Sequence, residues 1–507
     1  MLARIATFAL EGVRSQEVTV EVDVRRGLPT FTLVGLPDRS IRESRERVRA
    51  ALLNSGLEFP QMRLTVNLAP AHVRKVGPGF DLAIAVGLLA ASAQVPAEAL
   101  ADSAVCGELS LGGELRTVRG ALAGALGARD AGYTRLRVPV DNAAEAALVG
   151  ELEVLGLLNL RGIADVLAGR TVVERARPEP PGGPRAASLP PLDLVDVRGQ
   201  GDAKRALEIA AAGGHNLLMI GPPGAGKTML ARRLPGILPP PAVEEALEIT
   251  QVQSAAGLGN GRLARERPFR APHHTISPQG LVGGGSRPRP GEITLAHRGV
   301  LFLDELPEFT RAALDSLRQP LEEGRVEVMR GQRTLEFPAN AMLVAACNRC
   351  PCARPPDMCS CNAAELGRYL RRLSGPLLDR IDLVCEVQAT PPLQLVEDAP
   401  GMTSSSQVRG RVEAAREAQR ARLAGTAALC NGDMDGRLTR EQVPLGPTLA
   451  GRVLAAGDRV PLSGRGQDRV LRVARTIADL EACAHVRPQH VDEAFSYRLD
   501  AWAALAA

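Results

Sequence analysis

The chain has 507 residues, which is too many for a single hydrophobic core, so we expect roughly two to four domains. Its net charge of +4 neither demands nor excludes nucleic acid, and an aromatic content of 3% argues against single-strand binding by rows of stacked rings. Its nine cysteines, an odd number, favour a reducing compartment over a disulfide framework. With no apolar stretch long enough to cross a bilayer and no export signal, the prediction is a cytoplasmic protein without a membrane partner.

The first part of the chain mixes strand and helix patterns. Alternating apolar residues predict strands at 17–24, 31–33 and 64–68, whereas 40–55 and 81–93 have the spacing and composition of helices. We therefore predict an α+β domain over residues 1–172. A run rich in proline and glycine follows at residues 173–191, and this composition indicates a linker.

The remainder of the chain divides into two further regions. In residues 192–394, short apolar runs alternate with helical patterns, as in a doubly wound α/β domain. Strand patterns end near residue 395. Apolar residues at helical spacing between Val470 and Ala484 predict an amphipathic helix, so residues 395–507 should form a small helical domain.

A phosphate-binding loop follows the apolar run at 215–220 and precedes a helical segment. Strand before and helix after is the setting that this motif requires, because successive backbone N–H groups then face the phosphates. Lys227 would reach the β- and γ-phosphates of ATP, and Thr228 would bind Mg²⁺. The pattern is G-x-x-x-x-G-K-T, and its residues are Gly221, Pro222, Pro223, Gly224, Ala225, Gly226, Lys227 and Thr228.

Further polar residues stand at the ends of later apolar runs. Asp304 and Glu305 end the run at 300–303, where Asp304 would hold Mg²⁺ and Glu305 would polarise the attacking water. Asn348 ends the run at 341–347 and either orients that water or occupies a turn. Arg380 precedes another strand and is either an arginine supplied to a neighbouring subunit or a surface ion-pair residue.

These motifs together resemble the magnesium-chelatase-like AAA+ ATPases, most closely the bacterial YifB/ComM family. The resemblance extends over essentially the whole chain. It is carried by six family-like stretches, at residues 197–206, 269–277, 283–285, 290–306, 374–382 and 472–480.

The resemblance implies an AAA+ ATPase core with a helical lid, assembled as a homo-hexameric ring with ATP at subunit interfaces. By position, Asn348 matches sensor 1 and Arg380 the trans-acting arginine finger. Arg465 resembles the sensor 2 arginine of the lid, with Arg469 as the alternative that spacing does not separate.

Two segments resemble parts that such ATPases direct towards the pore. Residues 258–298 resemble a pore insert, and residues 325–336 resemble the hairpin before sensor 1. Within that hairpin, Arg330 and Arg333 are the candidates for gripping DNA phosphates.

The N-terminal domain resembles the Lon-protease fold, which implies a serine nucleophile and an activating lysine if it were a peptidase. Gly79 and Gly124 occupy the two positions, and glycine supplies neither group. The expectation is an assembly or DNA-contacting scaffold, in which Ser110 and Lys75 have no catalytic part.

Four cysteines fall within twelve residues in the pattern C-x-C-x6-C-x-C. Four thiolates at this density either form a structural zinc site or remain free thiols in a loop, since C-x2-C is the commoner zinc spacing. The four are Cys350, Cys352, Cys359 and Cys361, with Cys347 just upstream. The other cysteines, Cys106, Cys385, Cys430 and Cys483, have the sequence settings of ordinary buried residues.

Three histidines, His273, His274 and His297, also suggest metal binding. No carboxylate or cysteine stands at a convincing ligand spacing from them, so loop packing or pore contacts are the expectation.

The resulting hypothesis is an ATP-dependent motor that acts on single-stranded or branched DNA, as a helicase or branch-migration factor in recombination during natural transformation. Two alternatives remain. One is the motor subunit of magnesium chelatase, and the other is a protein-remodelling ATPase. Aromatic residues in the pore would favour the second alternative, but the segment between Ala271 and Arg298 contains none.

Overall fold

The structure is a computed structural model, and it divides into two compact units. The first comprises Met1–Ala186, Val243–Ala264 and Met329–Glu336, and the second comprises the rest of the chain. The residues that the structure describes are 1–35, 38, 41, 43–71, 75, 77–179, 192–285, 288–330, 333–354, 358–373, 375–389, 403–457 and 463–506.

A seven-stranded mixed sheet forms the first unit, in the order β3-β4-β2-β1-β5-β8-β9. Strand β2 pairs antiparallel with both β1 and β4. Strand β3 is parallel to β4, and β1, β5, β8 and β9 are parallel to one another in that order. The strands are β1 Leu2–Glu11, β2 Arg14–Arg25, β3 Thr30–Val34, β4 Arg63–Ala69, β5 Ser103–Val105, β8 Arg135–Pro139 and β9 Glu153–Leu157, with the short hairpin β6 Glu108–Leu109 and β7 Leu115–Arg116 beside them.

Helices cover this sheet. The predicted buried helix is Asp81–Ala91, all of whose residues are buried, and its apolar residues join the valines of β2 in one core. The predicted strands at 17–24, 31–33 and 64–68 correspond to β2, β3 and β4. The other helices of the first 186 residues are Ser44–Asn54, Ala121–Asp130, Val140–Ala146 and Leu160–Leu167, with 3₁₀ turns at Pro78–Phe80 and Ala97–Leu100.

Two later segments belong to the first unit, although the sequence pattern assigned them to the domain at 192–394. The helix Val243–Ala256 packs on the helix Ala121–Asp130. The main-chain N–H of Gly120 donates to the carbonyl of Ser254 (3.2 Å), and the amide of Gln251 donates to the carbonyl of Val13 (2.9 Å). Sequence spacing cannot reveal such docking, because the partners lie far apart in the chain. Much of the predicted linker, at 180–191, lies outside the described residues.

A five-stranded parallel sheet forms the centre of the second unit, in the order β11-β14-β17-β10-β18. Its inner strands read as continuous apolar runs because helices cover both faces. The strands are β10 Leu217–Ile220, β11 Phe269–Arg270, β14 Val300–Leu303, β17 Met342–Cys347 and β18 Leu383–Glu386. The segment 258–298 is therefore not wholly an insert, since β11 within it is an edge strand of this sheet.

The helices and small ribbons of this part of the chain connect the strands. The helices before the lid are Gly201–Gly213, Lys227–Ala231, Leu234–Ile237, Pro278–Val282, Glu292–Leu295, Arg311–Ser316, Arg318–Glu323, Ala363–Arg372 and Gly375–Leu378, with 3₁₀ turns at Leu194–Asp196 and Leu306–Glu308. The ribbons are β12 Gly283–Gly284 with β13 Arg289–Pro290, and β15 Arg325–Arg330 with β16 Arg333–Pro338.

The region after residue 402 is helical, as predicted. Buried residues of the helix Gly464–Leu480, including Val470 and Ile477, join the core that also contains β10 and β17. The lid helices are Ser405–Arg422, Gly436–Gln442, Pro447–Gly457, Gly464–Leu480 and Pro488–Ala506, with a 3₁₀ turn at Asn431–Asp433. Within the described part of the chain, no helix combines the length and apolarity that crossing a bilayer requires.

Candidate nucleotide site

The phosphate-binding loop follows the inner strand β10, as its motif requires. Gly224 and Gly226 have φ of 78° and 92°, in the left-handed region that favours glycine. A side chain at Gly221 would collide with the carbonyl oxygen of Val387, so only glycine fits there. The helix Lys227–Ala231 begins directly after the loop. These features leave the loop backbone in the form that binds phosphate.

The side chains predicted for catalysis meet at the carboxyl ends of three neighbouring parallel strands. Thr228 Oγ1 donates to Asp304 Oδ2 (2.6 Å), which places both candidate Mg²⁺ ligands together. Lys227 Nζ donates to the carbonyl oxygens of Gly221 (2.7 Å) and Pro222 (2.9 Å) and to Asn348 Oδ1 (3.1 Å). Asn348 is therefore part of the site.

Lys227, Asp304 and Asn348 line one cavity of about 250 Å³, which we call the P-loop cavity. Burial lowers the pKa of Lys227, although the nearby carboxylates oppose that shift. Burial also raises the pKa of Cys347 to about 12, which keeps this thiol neutral beside the lysine. The lining residues are Lys227, Asp304, Glu305, Pro307, Glu308, Cys347, Asn348, Cys350, Pro351 and Tyr369.

Glu305 has a backbone conformation that is uncommon for a residue with a side chain. Its φ is 52°, and strained backbones of this kind cluster at functional sites. Its carboxylate lies 3.3 Å from His274 Nδ1, and the His274 ring stacks on His273 at 4.1 Å between centroids. No carboxylate stands near His274 in the sequence at a ligand spacing, yet the fold brings Glu305 to it. The fold brings the loop after β11 beside the end of β14, because those two strands are neighbours in the sheet.

The other two histidines have local partners. His273 Nδ1 is 2.9 Å from Thr275 Oγ1, and His297 Nδ1 accepts from the main-chain N–H of Asn340 (3.1 Å). Both arrangements agree with loop packing.

Tyr369 is a residue of the site that sequence reasoning missed. Its hydroxyl donates to the carbonyl oxygen of Asn348 (3.0 Å), and burial raises the pKa of the phenol, which keeps it a donor. No local pattern marks this tyrosine, since its partner lies on a different element.

The remaining arginine candidates lie in a second cavity of about 680 Å³, which we call the arginine cavity. Arg380 and Arg465 both pair with Glu322, and the Arg465 separation is 3.7 Å. Arg469 lies instead 3.6 Å from the buried carboxylate of Asp382. The Arg465 side chain is 77% exposed and that of Arg469 only 12%, so the two candidates differ sharply in setting.

Asp382 is the centre of a buried polar cluster. It accepts from the main-chain N–H of Asn216 (3.0 Å), and Arg472 approaches it at 3.8 Å. Burial alone would raise the pKa of Asp382, but the interaction with His215 and the charges of Arg472 and Arg469 hold it well below its usual range. Burial lowers the pKa of His215.

The four clustered cysteines bring their sulfurs together. The Sγ separations are 3.4 Å for Cys350–Cys352, 3.7 Å for Cys352–Cys359 and 3.7 Å for Cys359–Cys350, and all four sulfurs lie within 4.8 Å of one another. A tetrahedral site with Zn–S of about 2.3 Å has sulfurs about 3.8 Å apart. The main-chain N–H groups of Arg354 and Ser360 lower the pKa of Cys352 to about 6, which favours its thiolate.

The remaining predicted positions are located as follows. Cys106, Cys385 and Cys430 are buried as expected, whereas Cys483 is only half-buried. Arg330 ends β15 and Arg333 begins β16, but both side chains lie outside the described part of the structure.

The positions that a Lon-type peptidase would need are glycines with room around them. A side-chain carbon would find its nearest atom 3.8 Å away at both Gly79 and Gly124. Ser110 Oγ accepts from the main-chain N–H of Glu114 (3.0 Å), and Lys75 donates to the carbonyls of Gly35 and Pro70.

Three profiles of magnesium chelatase match the chain. "Magnesium chelatase, subunit ChlI" matches residues 193–395, "Subunit ChlI of Mg-chelatase" matches 20–142, and "Magnesium chelatase, subunit ChlI C-terminal" matches 402–498. The match at 193–395 covers the P-loop, Asp304, Glu305 and Asn348.

Full-length relatives are also similar. YifB of Salmonella typhimurium is 44% identical over 499 residues, or 98% of this chain and 97% of that protein. Competence protein ComM of Haemophilus influenzae is 42% identical over 500 residues, again 98% and 97%. Lon protease 2 of Bacillus subtilis shows a partial similarity, 29% over 153 residues, or 28% of this chain and 27% of that protein.

Proposed function

Since the chain belongs to the YifB/ComM family of magnesium-chelatase-like AAA+ proteins, we propose that it hydrolyses ATP to drive a motor acting on single-stranded or branched DNA. The motor would serve as a helicase or branch-migration factor in recombination during natural transformation, in the cytoplasm. The observation that carries the ATPase proposal is the meeting of Lys227, Asp304 and Asn348 in one cavity, with Thr228 hydrogen-bonded to Asp304. Similarity to the competence protein ComM supports the DNA substrate.

The residues of the P-loop cavity suit Mg²⁺ and ATP. Mg²⁺ prefers oxygen ligands, and the Thr228 hydroxyl and Asp304 carboxylate supply two of them 2.6 Å apart. Bound Mg²⁺ supplies neutralising charge for the β- and γ-phosphates. Lys227 would leave the loop carbonyls to bind the γ-phosphate, Asn348 would orient the attacking water, and Glu305 would polarise it.

We further propose that Arg380 and Arg465 serve the nucleotide of a neighbouring subunit in a homo-hexameric ring. Both line the arginine cavity, and neither lines the P-loop cavity of the same chain. Their shared partner Glu322 would be replaced by phosphate oxygens when subunits assemble. Arginine in trans stabilises the charge that develops during phosphoryl transfer.

The four-cysteine cluster is proposed to hold a structural Zn²⁺. Three sulfur separations of 3.4–3.7 Å, with all four sulfurs within 4.8 Å of one another, suit a tetrahedron of thiolates. One zinc per chain by elemental analysis of purified protein is the expected result, and its absence would leave a loop of free thiols.

DNA contact is assigned to the hairpin of β15 and β16, through Arg330 and Arg333. Arginines at a hairpin tip can follow a phosphate backbone without reading sequence. The double change Arg330→Ala/Arg333→Ala should remove DNA stimulation of ATP turnover. The matched control Arg437→Ala/Arg452→Ala, which removes two exposed arginines of the lid, should leave that stimulation intact.

The deciding experiment measures ATP turnover alone, with single-stranded DNA, with forked DNA and with unfolded protein. Lys227→Ala serves as the blank. Stimulation by DNA together with strand displacement supports the proposal. If unfolded protein stimulates ATP turnover and DNA does not, the result would favour protein remodelling as the function.

The alternative of a magnesium-chelatase motor subunit draws support from the three matching profiles. It predicts that the chain restores Mg²⁺ insertion into a porphyrin when mixed with the other chelatase subunits. Failure of that reconstitution would remove it.

A further inference from the structure

The thiolate cluster is joined directly to the catalytic end of β17. Asn348 follows that strand, and Cys350 comes two residues later on the wall of the P-loop cavity. Arg349, between them, pairs with Glu386 at the end of β18. The segment that carries Cys350 and Cys352 is therefore continuous with Asn348, the residue that contacts Lys227.

The segment that carries Cys359 and Cys361 leads into a helix that contacts Asn348. Cys361 is followed at once by Asn362, which caps the helix Ala363–Arg372 through a reciprocal pair of hydrogen bonds with Glu365. Two turns later in that helix, Tyr369 donates to the carbonyl oxygen of Asn348 (3.0 Å). Cluster, helix and tyrosine thus close a ring of contacts around Asn348.

From this arrangement we propose that the metal-loaded thiolate cluster is the positioning device for Asn348, so that metal occupancy sets the rate of ATP hydrolysis while leaving ATP affinity nearly unchanged. The inference rests on the proposed ATPase function. Tyr369 acts as a positioning residue, because its helix starts at the cluster and its hydroxyl holds the main chain of Asn348.

The physical reason is that Asn348 lies on a segment with few other anchors. Beyond the end of β17, its side chain is held by Lys227 (3.1 Å), and its main chain by the Tyr369 hydroxyl, the neighbouring pair of Arg349 with Glu386 and the segment leading to Cys350. A nucleotide would draw Lys227 towards phosphate, and the side-chain amide would then be oriented through these main-chain anchors. Loss of the metal would release the two cysteine segments, 350–352 and 359–361, and with them the start of the helix that carries Tyr369. The phosphate-binding loop meets this segment through Lys227 and through the Gly221 N–H, which donates to the carbonyl of Cys347 (3.2 Å), so the loop backbone is held by β17 and not by the cluster.

The test compares full-length variants in zinc content, ATP affinity and turnover. Cys359→Ser/Cys361→Ser removes two of the four ligands, and Cys106→Ala is the control for loss of a thiol that belongs to neither candidate metal group of the described residues. Cys359→His replaces a thiolate by another zinc ligand. Tyr369→Phe deletes only the hydroxyl. Hydrogen exchange of residues 342–348 and 363–372 reports on positioning without requiring turnover.

The double serine variant should lose its zinc, keep its ATP Kd within about threefold, and lose roughly 10- to 100-fold in kcat, as expected for a displaced catalytic group. Its exchange at 342–348 should rise. Cys359→His should retain zinc and kcat, and Tyr369→Phe should retain zinc but lose part of kcat.

Several results would overturn the inference: wild-type protein without zinc, a zinc-free double variant with wild-type kcat and exchange, or Tyr369→Phe with unchanged kcat. If the double variant misfolds, Tyr369→Phe still decides. A wild-type protein without ATP turnover refutes the proposed function instead, and zinc content with exchange at 342–348 then tests the positioning separately.

Discussion

Replacing Arg465 and Arg469 separately by alanine should have opposite consequences for stability and for catalysis. Both arginines lie on the helix Gly464–Leu480, one turn apart. Arg465 is 77% exposed and reaches only the exposed Glu322 at 3.7 Å, whereas Arg469 is 12% exposed beside the buried Asp382. The structure therefore predicts that Arg465 is available to a neighbouring subunit and that Arg469 stabilises the fold.

The magnitudes follow from these settings. An exposed ion pair contributes about 0.2–1 kcal/mol, so Arg465→Ala should lower the unfolding temperature by no more than about 3 °C. Breaking a buried pair costs about 3–5 kcal/mol, and because Arg472 and Asn216 still contact Asp382, we expect about 2–3 kcal/mol for Arg469→Ala, or about 5–10 °C.

Thermal unfolding of each variant and steady-state ATP turnover of the assembled protein measure the two effects. Arg465→Ala should lose at least about 10²-fold in kcat with stability preserved, since a trans-acting arginine contributes about 10³–10⁵ where it has been removed in other ATP- and GTP-hydrolysing proteins. Arg469→Ala should retain turnover below its unfolding temperature. Full activity of Arg465→Ala, or an inactive but fully stable Arg469→Ala, would refute the reasoning.

Three further predictions concern the P-loop cavity and the buried polar cluster. Glu305→Gln should bind ATP but lose at least about 10²-fold in turnover, because the amide cannot take a proton from water. A variant that hydrolyses ATP at the wild-type rate would contradict this. His274→Ala should raise DNA-independent turnover a few-fold by freeing Glu305, and unchanged turnover of this variant would exclude the contact as a restraint on Glu305. Because burial lowers the pKa of His215, the unfolded chain binds a proton below pH ~6.5 that the folded chain does not. The unfolding temperature should therefore fall as the pH is lowered through about 6.5, and His215→Gln should show a shallower fall in thermal unfolding.

Local sequence determined the elements and most of the nucleotide site. The glycine loop, the acids after β14, Asn348 after β17 and Arg380 before β18 are each set by a strand and the few residues beside it. Parallel strands bring their carboxyl ends to one edge, so the meeting of Lys227, Asp304 and Asn348 follows from the order of motifs along the chain. Strand alternation and helical spacing likewise predicted β2, β3 and β4 of the first unit and the helices of the lid, whereas β1, β5, β8 and β9 were not predicted.

Only the tertiary structure decided the contacts between residues distant in sequence. It placed His274 against Glu305, Tyr369 against the carbonyl of Asn348, and both Arg380 and Arg465 at Glu322. It also separated Arg465 from Arg469 by exposure and packed the helix Val243–Ala256 in the first unit. The physical reason is that periodicity reports which face of an element is buried, whereas the partner on that face is chosen by packing across the whole chain.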